Sequence, residues 1–290
     1  MRELRYAVQP EDEGKKLSVI LRARMKLSNR QISHLKFSEG IWLNESCVHT
    51  GVFVHAGDTV HVILRDDGQT LVPYTLALRV VYRDEDVLVV DKPAPLPSIR
   101  SVHQDEKTLE NAVYAYFGCP EGFVYRPVSR LDKGTSGLMP IALNAYAHDR
   151  MQRALHTERY VRAYLAVTEG APEKDSGVID LPIGMQNGVK RCVDPSGKPS
   201  VTHYRVLERA ANGRALLHLR LETGRTHQIR VHTSAMGHPV AGDFMYGWEL
   251  DDLPGRFALH AAYLRFEHPV TGEVLTFESP LPDELRKLLK

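Results

Sequence analysis

The sequence predicts an α+β fold, because stretches with helical spacing alternate along the chain with stretches that have the pattern of strands. Residues 17–25 carry their apolar side chains at helical spacing. Residues 80–82 and 87–90 are rich in valine and flank a polar run, as the two strands of a hairpin do. Residues 217–221 alternate apolar and polar side chains, which is the pattern of a half-buried strand. Periodicity alone therefore gives a mixture of helices and strands.

The chain has 290 residues, of which 43% are hydrophobic and 25% are charged. These values are ordinary for a soluble globular protein, and the length suits one large domain with a small one. No apolar run approaches the roughly 20 residues of a membrane helix, and the first residues lack the apolar core of a signal peptide. We therefore expect no membrane partner.

The three cysteines, Cys47, Cys119 and Cys192, are widely spaced and odd in number. They favour neither a disulfide framework nor a zinc site, so we expect the chain to work in a reducing cytoplasm. The net charge is only +1, so any binding to nucleic acid has to come from local basic patches.

A basic stretch opens the chain. Residues 15–38 contain seven lysines and arginines and no acidic residue. Ser28 suits the N-cap of a helix that is predicted to bury Ile32, Leu35 and Phe37.

Short strand-like runs and a Gly57-Asp58 turn follow, up to residue 64. This order of two helices and short strands is similar to the alpha-L (S-four-type) RNA-binding module. The similarity implies that Arg22, Lys26 and Arg30 contact RNA phosphates. A solvated basic helix face is the alternative interpretation of the same charges.

The strongest chemical signal lies in residues 127–141, around Asp132. Arg130 precedes this aspartate by two positions, and the small residues 134–137 lead into an apolar run. The pattern predicts a tight loop that enters a buried strand. A carboxylate beside low-dielectric packing, kept ionised by a nearby guanidinium, is a candidate nucleophile or base. An aspartate that only caps its own turn is the alternative.

Residues 130–132, followed by Thr135-Ser136-Gly137, resemble the catalytic-loop motif of the RluA/RluD-type RNA pseudouridine synthases. In that family the aspartate is required for the chemistry, and the resemblance assigns that role to Asp132. It also implies that Arg130 fills the space of the extruded nucleotide or holds its phosphate, with Thr135 among the substrate-binding residues. The family usually has a histidine where this chain has Ser129, which leaves the role of that histidine open.

The predicted strand 87–90 continues into Asp91-Lys92-Pro93, which resembles the first motif of the same family. The resemblance implies that Lys92 binds a phosphate or neutralises charge at the floor of the cleft. Taken alone, such a lysine is more often structural.

Tyr164 follows Arg162 by two positions on a predicted strand. The stretch resembles the family segment in which a basic residue, more often lysine, precedes an active-site tyrosine. The resemblance implies that Tyr164 stacks on uracil or relays the proton lost from C5. Without the resemblance, a tyrosine on a strand is usually part of the core or of an interface.

Residues 223–232 resemble the third motif of the family. Gly224 permits a tight turn, and Thr226 is predicted to cap a helix that ends near Met236, with Gly237 just beyond it.

The family position whose guanidinium pairs with the catalytic aspartate corresponds to Arg230. The resemblance also adds Arg225, His227 and Gln228 to the substrate-binding residues. Several histidines lie in this stretch, but they lack the HExxH pattern, so the sequence does not favour a metal site.

The predicted domain organisation follows from the two resemblances. Residues 1–66 are expected to form the alpha-L RNA-binding domain, which begins as a loose leader or as an edge strand. Residues 67–78 are expected to form a linker, and residues 79–290 the catalytic domain. For the catalytic domain the family resemblance implies a mixed, mainly antiparallel sheet with helices and loops around a central cleft.

The resemblance implies an isomerase that converts uridines in structured RNA to pseudouridine. Ribosomal RNA is favoured over transfer RNA as the substrate, although the motifs themselves fit both and do not name the RNA. The reaction adds no group and changes no oxidation state, so we expect no cofactor and no metal; a monomer is expected. The residues alone do not decide whether Asp132 attacks the base or the sugar. A non-catalytic RNA-binding protein with a decayed synthase domain is one alternative. An aspartate-dependent phosphohydrolase is another, but residues 132–135 lack the second acidic residue that its magnesium needs.

Overall fold

The structure is a computed structural model that describes residues 2–65, 68, 70–101 and 107–290. Its strands are β1 (Arg2–Ala7), β2 (Ile41–Leu43), β3 (Ser46–Cys47), β4 (Thr59–Leu64), β5 (Arg79–Arg83), β6 (Val87–Lys92), β7 (Arg126–Pro127), β8 (Ser136–Ala142), β9 (Tyr160–Thr168), β10 (Ser176–Asp180), β11 (Ile183–Asn187), β12 (Lys190–Val193), β13 (Val201–Arg209), β14 (Ala215–Leu221), β15 (Leu259–Glu267) and β16 (Val274–Glu278). Its α-helices are α1 (Leu17–Ala23), α2 (Asn29–Phe37), α3 (Leu109–Tyr116), α4 (Ala145–Ala154), α5 (Gln228–Ala235) and α6 (Asp283–Arg286). Short 3-10 helices cover Pro10–Asp12 and Lys287–Leu289.

Residues 2–64 form a small α+β region around an antiparallel sheet with the strand order β1-β4-β2-β3. Strand β1 is an edge strand, as one of the two interpretations of the first residues predicted. Ser28 caps α2 by accepting a hydrogen bond from the Gln31 N–H, and the Gln31 side-chain oxygen accepts one from the Ser28 N–H, which completes a capping box. The apolar faces of α1 and α2 pack on one side of the sheet in a core of their own.

The prediction that α2 buries Phe37 is wrong, because 88% of this side chain is exposed. Ile32 and Leu35 are buried as predicted, and they lie three residues apart on one helix face. Phe37 lies two residues after Leu35, about 200° around the helix, so it points away from that face.

The remainder of the chain is built on a ten-stranded sheet with the order β10-β13-β14-β9-β15-β8-β6-β5. Strand β16 is added beside β15, and β7 beside β8. The described pairings are antiparallel except for the short contact between β15 and β8, which is parallel. This confirms the predicted α+β fold with a mixed, mainly antiparallel sheet. The predicted hairpin is the β5–β6 pair, and the predicted half-buried strand is β14.

Strand β8 carries the chain out of the Asp132 loop, and all seven of its residues are buried. It crosses β15 closely at Gly137, where a Cβ atom would lie 2.3 Å from the carbonyl oxygen of Ala261. Gly137 also has a φ of +112°, so any side chain here would meet both a clash and a strained backbone. This crossing fixes the end of the Asp132 loop to the middle of the sheet.

The small region contacts the large one at the start of α4. The Tyr146 ring belongs to the hydrophobic core of the small region, although the residue lies on α4. The Gln31 side chain donates a hydrogen bond of 3.1 Å to the Ala145 carbonyl. Arg2 forms ion pairs with Glu85 and Asp86, the latter at 2.9 Å. The two regions therefore meet at the start of α4 and at the turn between β5 and β6.

The predicted boundary between residues 66 and 67 falls outside the described residues. The boundary stays a prediction. The described part of the predicted linker lies against α3, where Asn111 donates a hydrogen bond of 2.7 Å to the Val72 carbonyl. Among the helices that the structure describes, each is too short or too polar to cross a membrane.

Candidate active site

A cleft of about 490 Å³ opens on the large region beside the Asp132 loop. Its walls come from that loop, from β9, from the turn before α5 and from the end of α4. A smaller cavity of about 60 Å³ continues it inward. Five of the predicted site residues line both spaces: Arg130, Asp132, Tyr164, Arg225 and His227. The structure therefore brings together residues that are nearly 100 positions apart in the sequence.

Asp132 and Arg230 form an ion pair at the floor of the cleft. The Nη1 atom of Arg230 donates to the Oδ2 atom of Asp132 at 3.0 Å. The Asp132 side chain remains 28% exposed, whereas that of Arg230 is only 3% exposed. A buried guanidinium therefore holds a carboxylate whose other side faces the cleft.

Arg230 is itself held by a second carboxylate, that of Asp243. The Nε and Nη2 atoms of Arg230 donate to the two oxygens of Asp243 at 2.6 and 2.8 Å, a bidentate arrangement. The Phe257 ring lies 4.0 Å from the guanidinium carbon of Arg230. Burial opposes the charged form of Arg230, but Asp243 first, and then Asp132, outweigh burial and raise the pKa of the guanidinium. Arg230 therefore stays charged and fixed in orientation.

Asp243 is fully buried, and the sequence analysis did not assign it a role. The sequence does contain a sign that Asp243 is buried. Asp243 follows the apolar pair Val240-Ala241 and a glycine, and no polar run surrounds it. A charged residue in such surroundings needs a partner of opposite charge. The sequence does not say which partner this is.

The start of α5 differs from the prediction. Thr226 does not cap the helix; His227 is the N-cap residue and has left-handed backbone angles, with a φ of +59°. This conformation turns the His227 ring toward the cleft, where its Nε2 atom lies 3.9 Å from Oδ2 of Asp132. Its Nδ1 atom forms a hydrogen bond of 2.9 Å with the Tyr246 hydroxyl. Burial lowers the pKa of His227, and the Asp132 carboxylate acts in the opposite direction.

Helix α5 ends as predicted, with Met236 as its C-cap and Gly237 beyond it at a φ of +82°. Among the residues of this motif, Gln228 is 3% exposed and its amide is engaged by the protein. Its oxygen accepts from Thr223 and from the Arg225 backbone, and its nitrogen donates to Thr202 and to the Val201 carbonyl. Gln228 therefore braces the turn before α5.

Tyr164 lies on β9 between β14 and β15, and 7% of the residue is exposed. Burial raises the pKa of its hydroxyl, Arg162 acts against this rise and Asp132 adds to it. The Arg162 side chain lies in the cleft wall beside Gly224, where a Cβ atom would be 3.1 Å from its Nη1 atom. The absence of a side chain at Gly224 thus leaves room for the Arg162 guanidinium, in addition to permitting the predicted turn.

Lys92 is 1% exposed and lies beneath the site instead of on its surface. Its ammonium group donates to the carbonyls of Leu96 at 2.7 Å, Pro93 at 3.1 Å and Lys133 at 3.5 Å. Burial lowers the pKa of Lys92 to about 7, which the Asp132 carboxylate opposes. The structure therefore does not bring Lys92 to the surface on which a substrate would lie. Lys92 holds the backbone next to Asp132.

Thr135 is 2% exposed and lines the smaller cavity, and its backbone N–H donates to the Asp132 carbonyl at 3.1 Å. Arg130 is exposed at the cleft. The Nε atom of Arg225 donates to the Pro199 carbonyl at 3.2 Å. Ser129, which replaces the family histidine, also lines the cleft.

The predicted RNA contacts Arg22, Lys26 and Arg30 are exposed in the small region and do not reach the cleft. Arg22 donates to the carbonyl of Ser18 in its own helix at 3.2 Å. Lys26 lies at the junction with α4. Across the part of the chain that the structure describes, no group of three or more His, Cys, Asp and Glu side chains is arranged to hold a metal ion.

Comparison with protein families gives one match that covers this site. The model of the RNA pseudouridylate synthase family matches residues 86–235, which include Asp132, Tyr164 and Arg230. The chain belongs to the RNA pseudouridylate synthase family. Members of this family are isomerases, so the chain is an enzyme of that class.

Curated relatives agree with the RNA pseudouridylate synthase assignment along nearly the whole chain. The uncharacterized RNA pseudouridine synthase YhcT of Bacillus subtilis is 33% identical over 294 residues, covering 100% of this chain and 97% of the relative. Ribosomal large subunit pseudouridine synthase D of Vibrio cholerae is 42% identical over 245 residues, covering 78% of this chain and 74% of the relative.

Solved structures of pseudouridylate synthases share the fold. Human RNA Pseudouridylate Synthase Domain Containing 1 has a TM-score of 0.58 and 34% sequence identity, over 70% of this chain and 83% of the human chain. Human RNA Pseudouridylate Synthase Domain Containing 4 has a TM-score of 0.57 and 25% identity, over 72% of this chain and 93% of the human chain.

Proposed function

We propose that this pseudouridine synthase isomerises uridines in structured ribosomal RNA, with Asp132 as its catalytic carboxylate. The observation that carries the proposal is the ion pair of 3.0 Å between Asp132 and Arg230 at the floor of an open cleft. The preference for ribosomal RNA is supported by relatives named ribosomal large subunit pseudouridine synthase D, from Vibrio cholerae and Pasteurella multocida.

The reaction breaks the N1–C1′ bond of uridine and forms a C5–C1′ bond, with loss of the proton at C5 and gain of one at N1. The product is an isomer of the substrate, so the reaction needs an ionised carboxylate and a place for the detached base. Arg230 places a positive charge 3.0 Å from the Asp132 carboxylate and holds it by a charge-assisted hydrogen bond. Asp243 keeps Arg230 from turning away, so the carboxylate stays aimed into the cleft.

A uridine in folded RNA reaches such a floor only when it leaves its stack, which costs a few kcal/mol. The cleft, at about 490 Å³, is within the range of sites that hold small ligands, roughly 300–1,000 Å³. Tyr164 forms part of its wall and offers a ring for the uracil to stack on. Arg130, exposed at the cleft, is suited to hold a phosphate or to fill the space of the extruded nucleotide.

The test compares two RNAs, both transcribed in vitro and so free of modification. Large-subunit ribosomal RNA and a pool of transfer RNAs are each incubated with the protein, and pseudouridines are mapped by chemical labelling and reverse transcription. We expect new pseudouridines in the ribosomal RNA only. Pseudouridine confined to the transfer RNAs would contradict the proposed target. Mapping in cells with and without the gene identifies the uridine.

A further inference from the structure

A groove of about 660 Å³ runs between the small region and α4, separate from the catalytic cleft. Lys26 of the small region lies on one side of it, and Arg150 and Arg153 of α4 lie on the other. Arg159, which follows α4, extends the same lining. Four basic side chains from two regions of the chain thus meet in one concave surface.

Acidic side chains in and around the groove offset only part of this charge. The lining includes Glu158 and Glu267, and Glu267 lies 3.7 Å from the Arg159 guanidinium. Arg153 forms an ion pair of 2.7 Å with Asp149, one turn earlier on α4. These pairs are solvent-accessible and therefore weak, so an incoming phosphate can compete for the arginines. Lys26 is exposed, and the Arg150 guanidinium lies 5.8 Å from the centre of the Tyr146 ring.

Helix α4 also joins this groove to the catalytic cleft. Gln152, Leu155 and His156 line the cleft, whereas Arg153 and Ala154, which lie between them in sequence, line the groove. Successive helix positions are turned by about 100°, so one short helix presents a different face to each space. The end of α4 therefore borders both the cleft and the groove.

We propose that this groove binds phosphates of the RNA segment that flanks the target uridine. The inference rests on the proposed function, since it assumes an RNA substrate in the cleft. A row of cations along a groove, contributed by long flexible side chains, matches the sugar–phosphate backbone and does not read base identity. The groove would thus add affinity and orient the RNA, whereas the cleft selects the uridine.

The test replaces both arginines of α4 in the variant R150Q/R153Q, because glutamine preserves helix propensity and removes the charge. The matched control is K174Q/K287Q, which removes two exposed charges that do not line the groove. Binding to large-subunit ribosomal RNA transcribed in vitro is measured over a series of salt concentrations, and single-turnover rates are measured over a series of protein concentrations.

For R150Q/R153Q we expect a Kd about tenfold higher than that of the wild type at moderate salt. The slope of log Kd against log salt should fall by about two, one for each lost phosphate contact. Raising the protein concentration should restore the single-turnover rate. The control should keep the wild-type Kd and slope. Equal behaviour of R150Q/R153Q and its control would overturn the inference.

The variant K26Q tests the other wall of the groove and leaves α4 untouched. We expect it to lower the salt slope by about one. The inference would also be overturned if K26Q kept the wild-type salt slope and R150Q/R153Q either kept it too or failed to fold. The proposed function fails differently: the wild type would then bind RNA with the expected groove dependence but form no pseudouridine.

Discussion

Asp12 in the small region and Asp132 in the cleft are both paired with an arginine, but their surroundings differ. Asp12 is buried, and Arg24 donates to its two oxygens at 2.9 to 3.1 Å. Lys15 donates to the same carboxylate at 2.8 Å, and the Tyr6 hydroxyl donates to it as well. Every side of this carboxylate is covered by the protein.

Asp132 has the same type of partner and a different environment. Among the described residues, Arg230 alone donates a side-chain hydrogen bond to it, and 28% of its side chain is exposed to the cleft. An Asp–Arg pair by itself therefore indicates neither structure nor catalysis. What separates the two is whether one side of the carboxylate remains open to a substrate while the other is held.

The largest expected effect is that of Asp132→Asn. The amide keeps the shape of the side chain but is neither a nucleophile nor a base, so pseudouridine formation should fall by at least about 10⁴-fold. Mass spectrometry of the RNA product measures this, and the Kd for RNA should stay close to that of the wild type. An active Asp132→Asn enzyme would show that the open carboxylate is not the catalytic group.

Tyr164→Phe comes next and separates the ring from its hydroxyl. Stacking should survive, so the Kd for RNA should hold, whereas the single-turnover rate should fall by about 10³-fold if the hydroxyl moves a proton. Because burial raises the pKa of this hydroxyl, it stays protonated well above neutral pH in the wild type. Near-normal turnover in Tyr164→Phe would rule out an obligatory proton relay through this hydroxyl.

Asp243→Asn should have a smaller effect on the rate and a clear effect on stability. Without its bidentate partner, Arg230 is free to shift, and we expect the single-turnover rate to fall by about 10²-fold. The free energy of unfolding should fall by about 3 kcal/mol, because a buried ion pair has lost one partner. If the rate loss disappears once the rate is corrected for the fraction of folded protein, Asp243 does not position the site.

Asp12→Asn should have the smallest effect on the rate, and it is the control for Asp243→Asn. It should lower the melting temperature and leave the single-turnover rate at saturating RNA at the wild-type value. Arg24, Lys15 and Tyr6 hold the pKa of Asp12 below its usual range. Its stabilising effect is therefore present above the ordinary aspartate pKa and is lost as the pH falls, a dependence that Asp12→Asn should weaken.

Local sequence was enough to predict the elements that depend on nearby residues. The buried strand after Asp132, the hairpin of β5 and β6 and the Ser28 cap all follow from residues within one element. The pairing of Asp132 with Arg230 spans 98 positions, so the local spacing of residues does not predict it. The family resemblance did indicate it.

The rest depends on contacts between distant elements. Asp243 supports Arg230 across a loop whose path no local pattern gives. The left-handed turn at His227 is stabilised by the Tyr246 hydroxyl, so Thr226 alone suggested the wrong cap. The interior position of Lys92 depends on carbonyls from two loops that meet only in the folded chain.

Tyr146 lies on α4 in the large region, but its ring packs in the hydrophobic core of the small region. Replacing the small region would therefore leave the Tyr146 ring without the side chains that it packs against, and the excised region would carry a cavity where the ring had been. An exchange of the small region therefore has to include the first turn of α4, so that Tyr146 and its packing partners move together.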